Sequence, residues 1–232
     1  MGLVLPDVFE VPIFPLPEVV LFPGTVLPLH IFEPRYCKML ADVMVGDRMI
    51  GLAQLQPNWM HHVGNSPPVL PILGVGRIAD TEHLAGGRSH VALIGIARCC
   101  ILKEVEKDEP YRVASVETLR DKALHGPEQH KFSLDIRAAI QATADLLLRR
   151  SVRPDTRELL GRSLAEREEP GAAADFLASV FIRDTHIRQA LLENLDALQR
   201  AVQVQKLLEY VATKLEAEAP PRTGKLDDFS KN

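Results

Sequence analysis

The spacing of apolar and polar positions changes character near Gly126-Pro127. Upstream, apolar runs are short, rich in Val and Ile, and separated by Pro and Gly. Downstream, proline is scarce until Pro220 and apolar residues recur at helical spacing. A β-rich segment followed by a helical one predicts an α+β fold. In the first segment Val19–Phe22 reads as a short strand and Pro23-Gly24 as the centre of a type II turn, where proline presets the first backbone angle and glycine accepts a positive second one. Val26–Ile31 predicts the next strand, with Pro28 confining it to an edge or a bulge. Pro34 suits the first position of a helix, where its missing N–H costs nothing, and Tyr36, Leu40 and Val43 give that helix one apolar face before Gly46-Asp47 ends it. Further strands are predicted over Met49–Leu55, Ile72–Asp80, His90–Ile96, around Cys99–Val105 and over Tyr111–Thr118, with Ala85-Gly86-Gly87-Arg88 as a hairpin turn. Many short strands with one inserted helix predict a small, partly closed β-barrel, because closure removes exposed sheet edges.

The second segment predicts a helical bundle. Ile136, Ile140, Ala144 and Leu147 form one stripe; Ala173, Phe176, Leu177, Val180 and Phe181 form another. Asp155 with Glu158 has the spacing of a reciprocal cap, Asp184 caps a helix carrying Ile187, Leu191 and Leu195, and Asp196 with Gln199 interrupts the run before Val204, Leu208, Val211 and Leu215. The expected organisation is a barrel over residues 1–125, a helical subdomain over 126–218, and a disordered tail over 219–232 that begins around Pro220-Pro221.

Composition narrows the function. With 232 residues and 46% of them hydrophobic, the chain has enough apolar material for a core, which excludes wholesale disorder. A net charge of -4 argues against a protein whose main task is holding nucleic acid. Three cysteines cannot make an even disulfide framework, which fits a reducing compartment. The start lacks a basic region, Pro6 stands where a myristoylation signal wants Ser or Thr, and prolines interrupt the apolar stretch from Val11 to Phe32. The expectation is therefore a cytoplasmic chain without a leader or a membrane span.

The chemistry-bearing motifs are weak. Gly74-Val75-Gly76-Arg77-Ile78-Ala79 matches a dinucleotide fingerprint on paper, but that motif needs a strand turning into a helix, and here the glycines sit within a strand. Close approach of another backbone explains them better. Cys99-Cys100 and His61-His62 are adjacent pairs that extended chain points apart, so no metal is expected; one of the two cysteines should pack inward. Cys37 with His30 lacks an oxyanion signature and a third orienting group, which leaves packing ahead of a hydrolase reading. Arg149-Arg150-Ser151-Val152-Arg153 suits the C-terminal end of a helix better than an RNA contact. No Walker loop, nucleophile elbow or zinc-protease helix occurs, and neither a cofactor nor a catalytic residue is expected.

The stretch from Gln56 to Pro68 is a long loop holding the single tryptophan, Trp59, followed by Met60, His61 and His62. Trp and Met on a loop are favoured anchors for another protein. The same residues equally suit a lid folded back onto the barrel.

One resemblance gathers these features. The run Leu29-His30-Ile31-Phe32-Glu33-Pro34-Arg35-Tyr36, preceded by Pro12-Ile13-Phe14-Pro15-Leu16 and Val20-Leu21-Phe22-Pro23-Gly24-Thr25, closely resembles the opening of the Lon N-terminal, substrate-binding domain. Gly74–Ile78, Val91–Arg98, Tyr111–Ala114, Asp175–Ser179 and Arg188–Glu193 follow in the same order, so the likeness runs from Val11 to about Tyr210. The resemblance implies a PUA-like barrel joined to helices. It implies a stand-alone, non-catalytic module that recognises unfolded or peptide-like segments of other proteins and assists proteolysis or quality control, with a protease as a further partner. RNA binding is the alternative that the barrel type implies. The client and the oligomeric state are left open.

Overall fold

In the first half of the chain, short apolar runs form six strands, and one helix interrupts them. A computed structural model of the protein describes residues 5–61 and 66–218. The strands are β1 (Val8–Leu16), β2 (Val26–Ile31), β3 (Met49–Gln54), β4 (Ile72–His83), β5 (Ser89–Val105) and β6 (Arg112–Leu119), with helix α1 (Pro34–Val45) between β2 and β3. They pair in the order β2-β5-β4-β3-β1-β6, and β6 returns to pair with β5. That last pairing closes β1, β3, β4, β5 and β6 into a barrel and leaves β2 beside the first half of β5. β1 runs parallel to β3, with Ile13 opposite Gly51, and every other pairing is antiparallel. Gly86 and Gly87, at φ 78° and 75°, make the β4–β5 turn where the Gly-Gly pair predicts it.

Three details depart from the sequence reading. The two strands expected around His90 and Cys99 are one 17-residue strand, β5, which pairs with β2 through Ser89–Ile94 and with β6 through Arg98–Val105. β1, which carries Pro12 and Pro15, is not among the strands read from the sequence. Each proline sits where β1 has a paired neighbour on one side only: Pro12 pairs with Val113 before the β3 ladder begins, and Pro15 pairs with Ala53 after the β6 ladder ends. Val19–Phe22, expected as a strand, belongs to no strand.

That segment is instead the joint of the molecule. Leu21 points into the core formed with α1 and the barrel, while Val20 and Phe22 on either side of it point into the helical core. It can lie that close because two strands opposite it lack side chains. A Cβ on Gly74 would stand 2.0 Å from the Leu21 carbonyl oxygen, and one on Gly95 would stand 2.1 Å from that of Phe22. The Pro23-Gly24 turn follows with Gly24 at φ 72°, and Thr25 N–H donates to the Phe22 carbonyl at 3.3 Å, as a type II turn requires. Of the G-x-G string, Gly74 thus serves close backbone approach, while Gly76 leaves room for the side chains of Leu93 and Leu21.

The second half forms α2 (Gly126–Ser151), α3 (Pro154–Ala165), α4 (Pro170–Phe181), α5 (Thr185–Glu193) and α6 (Ala197–Glu218). Ile140, Ala144 and Leu147 of α2 meet Ala173, Ala174 and Leu177 of α4 and Val204 and Leu208 of α6 in one core. Asp184 caps α5 by accepting from the N–H groups of His186 and Ile187, and Asp196 accepts from that of Gln199 at 3.0 Å. Asp155 is not a cap: Pro154 takes the first helical position, which moves the boundary back to Arg153, and Glu158 pairs with Arg162 instead. Ile187 is exposed, so the α5 stripe is narrower than its spacing implies. The terminal stretch 219–232 lies outside the described residues. Among those described, no helix is long and apolar enough to cross a membrane.

Candidate peptide-binding groove

Two cavities of similar size lie at different places in the fold, and their chemistry differs. The first, of about 680 Å³, sits where barrel meets helices, between Pro23-Gly24, the linker from Asp121 to Leu124 and the start of α4. Its wall is a buried charge network. Arg98 of β5 donates to Asp175 of α4 at 2.5 Å and to the Leu192 carbonyl at 3.1 Å. Arg200 of α6, fully buried, forks onto Asp121 at 3.1 and 2.6 Å and donates to the Asn194 carbonyl at 2.6 Å. Its Nε lies 2.9 Å from Asp175, close enough for attraction but not aligned as a hydrogen bond. Burial pushes the Asp175 carboxyl above its ordinary range, and the two guanidiniums oppose that rise. Arg188 and Gln189 of α5 complete the joint by donating to the carbonyls of Val20 and Ile72, both at 2.9 Å. These groups are committed to one another and to the fold.

The second cavity, also about 680 Å³, is an open groove at the Trp59 end of the barrel. The N-terminal turn of α1 supplies Arg35 and Tyr36 because Pro34 starts the helix there. The end of β1 supplies Pro15 and Leu16, the residue after β3 supplies Leu55, and the entry to β6 supplies Pro110, Tyr111 and Arg112. Trp59 lies on a single 3-10 turn, Trp59–His61, reached through Asn58 at φ 66°. The stem of this loop is pinned: Gln56 N–H donates to the Pro68 carbonyl at 2.9 Å, and its side chain donates to that of Val69 at 3.1 Å. Tyr36 is buried: Phe14 packs against its ring at a tilt, centroids 4.2 Å apart, and the Arg35 guanidinium lies over the ring, 4.5 Å from its centroid. Tyr111 donates to Asp42 at 2.8 Å.

The charges on the rim are paired. Arg35 meets Glu33 at 2.9 Å, Lys38 bridges Asp42 at 2.5 Å and Glu109 at 3.3 Å, and Arg112 holds Glu104 while donating to the Pro67 carbonyl at 2.8 Å. Hydrogen bonds from Lys38 and Tyr111 hold the Asp42 carboxyl below its usual range. Burial, aided by the bond to Asp42, pushes the Tyr111 phenol up to about 12. Among the described residues, neither the Trp59 indole N–H nor the Tyr36 hydroxyl has a partner within the chain.

The structure therefore places the predicted loop residues unequally. Trp59 is half-buried and lines the groove, while Met60, 76% exposed, and His61 stand in solvent beyond it. His62 lies outside the described residues. Sequence reasoning missed Tyr111, which is far from the loop in sequence, and used Tyr36 only as a packing residue. The other candidates take packing roles. Cys37 packs partly buried against the core around α1, and His30 meets His90, ring centroids 4.9 Å apart, and stacks on Phe32. Cys99 is buried, which pushes its thiol up to about 12, and Arg150 at the end of α2 pairs with Glu216 at 2.7 Å. Among the described residues no cluster of three or more His, Cys, Asp or Glu is arranged to hold a metal.

Comparison with known proteins places this architecture. Residues 10–210 match the family described as the ATP-dependent protease La (LON) substrate-binding domain. The chain is 31% identical over 207 residues to a Lon protease of Roseiflexus castenholzii, covering 88% of this chain and 24% of that protein. It is 28% identical over 213 residues to a Lon protease of Desulforamulus reducens, covering 90% and 25%. The chain thus spans about a quarter of the length of these relatives. Among solved structures, the N-terminal domain of the Mycobacterium avium complex Lon protease aligns with a TM-score of 0.64 at 16% identity, over 87% of this chain and 98% of that one. A Lon N-terminal domain protein from Xanthomonas campestris aligns with a TM-score of 0.57 at 20% identity, over 85% and 98%. The matched region takes in the joint and all but the first residues of the barrel and the last of α6, and the chain belongs to the Lon substrate-binding domain family.

Proposed function

We propose that this chain is a non-catalytic recognition module that takes exposed apolar segments of client proteins into the groove beside Trp59 and so assists proteolysis or protein quality control. One observation carries the reading: Trp59, Tyr36 and Tyr111 converge on one open cavity whose remaining wall combines prolines and leucines with a charged rim. Aromatic side chains in a concavity are the usual anchors of protein recognition, because they bury large area at low entropic cost. Family membership supports the same role, since the matched region is the substrate-binding part of Lon. RNA binding finds no support in the groove, where Arg35, Lys38 and Arg112 are each paired with a carboxylate.

Trp59 is the only tryptophan, so its emission reports on the groove without labelling. Adding a permanently unfolded, reduced and alkylated protein should shift that emission saturably, and the folded form of the same protein should not. Trp59→Ala, followed by calorimetry, should weaken capture at least about tenfold, as loss of an anchoring residue does. Equal capture of the unfolded protein by wild type and Trp59→Ala would remove the groove from the reading.

A further inference from the structure

We infer that the segment this groove takes is an uncharged one bearing prolines in the polyproline II conformation. The inference rests on the reading of the groove as a peptide site and goes on to name the chemistry of its ligand. Three observations point the same way. The first is the lining. Trp59 and Tyr111 offer flat rings, set among Pro15, Pro17 and Pro110, and Tyr36, whose ring is buried against Phe14 and Arg35, lines the groove between them. Flat, rigid walls suit a ligand that is itself rigid, and polyproline II segments dock into aromatic-lined grooves because little conformational freedom remains to be lost.

The second observation is charge. Arg35 is tied to Glu33, Lys38 to Asp42 and Glu109, and Arg112 to Glu104. An ionic ligand would have to displace one of these pairs, whereas a neutral segment leaves them standing. The third is the balance of donors and acceptors. The indole N–H of Trp59 can only donate, and the Tyr36 hydroxyl is without a partner among the described residues, while the rim carboxylates already accept from their own cations. A proline segment has the complementary need: its carbonyls accept, and its prolines have no N–H to satisfy.

The test uses the full chain and Trp59 emission. One synthetic peptide repeats Pro-Pro-Leu-Pro; a control of the same length keeps each leucine and replaces each proline with alanine. The proline peptide should shift the emission saturably and bind at least about tenfold more tightly than the control, the margin that preorganisation supplies. Tyr36→Phe keeps the ring that packs on Phe14 and removes only the hydroxyl. It should weaken the proline peptide by about threefold to tenfold, the worth of one hydrogen bond, and leave the control unchanged. If the alanine control binds as tightly as the proline peptide, the inference falls and the groove remains a general apolar site. If neither peptide, nor the unfolded protein, moves the emission, the reading of the groove falls with it.

Discussion

The joint and the groove enclose similar volumes and differ in what their polar groups are doing. At the joint, Arg98, Arg200 and Asp175 are nearly or wholly buried, and the charges satisfy one another across elements distant in sequence. Such a network ties β5, the linker after β6, α4 and α6 together, and it admits a ligand only by breaking itself. At the groove the charges are held on the rim, Trp59 and Tyr111 are only partly buried, and two donors lack a partner among the described residues. A cavity lined by spent polar groups is a feature of folding, whereas one with aromatic walls and spare donors is suited to an occupant. Cavity size alone does not separate the two.

The comparison breaks most readily at Asp175. Asp175→Ala leaves Arg98 and Arg200 buried without their shared carboxylate, and loss of one partner from a buried pair costs about 3–5 kcal/mol. Denaturant unfolding should show that loss, while peptide binding at the groove, measured where the variant is still folded, should be unchanged. A loss of stability below about 1 kcal/mol would mean that the network is not what holds the two halves. The next largest effect is expected at Gly95. A methyl group there meets the Phe22 carbonyl at 2.1 Å, and backbone cannot yield as a side chain tip does. Gly95→Ala should destabilise by about 1–3 kcal/mol, the range for overpacking, and should loosen contacts of Phe22 with the helical core. Hydrogen exchange of the α4 amides would read the second part directly.

The legibility of these two regions in the sequence was unequal for a physical reason. Periodicity reports on a residue's own element, so the barrel, the inserted helix and the helical stripes could be read from local spacing. Proline rules also held where the context was local, as at Pro34 and Pro23-Gly24. They are silent on β1, because tolerance of Pro12 and Pro15 depends on which neighbouring strand ends where. The joint was invisible for the same reason. Arg98, Asp121, Asp175 and Arg200 are spread over a hundred residues, and a charged residue gives no sign in sequence that it will be buried. The groove was half legible: Trp59 stood out as the one tryptophan on a loop, but Tyr111 is brought beside it only by the pairing of β6 with β1 and of β1 with β3. The fold therefore emerged more fully than the site, since strands and helices are local patterns and a site is a meeting of distant ones.

The smallest expected effect tests whether the groove is braced separately from the joint. Tyr111 is the ring there whose hydroxyl is committed, donating to Asp42 of α1 at 2.8 Å. Burial first, and then that bond, raise its folded pKa from 10.0 to about 12. A raised folded pKa stabilises the protein fully below the unfolded value of 10.0, and the contribution is lost as pH climbs from there toward about 12. Tyr111→Phe should therefore cost about 0.5–1.5 kcal/mol at neutral pH, the net worth of one hydrogen bond. The gap between wild type and variant should narrow across that alkaline window, and ultraviolet titration of the phenols should show one late-ionising tyrosine fewer in the variant. A gap near zero at neutral pH would mean that the bond to Asp42 contributes nothing, and α1 and the β6 entry would then flank the groove without bracing it.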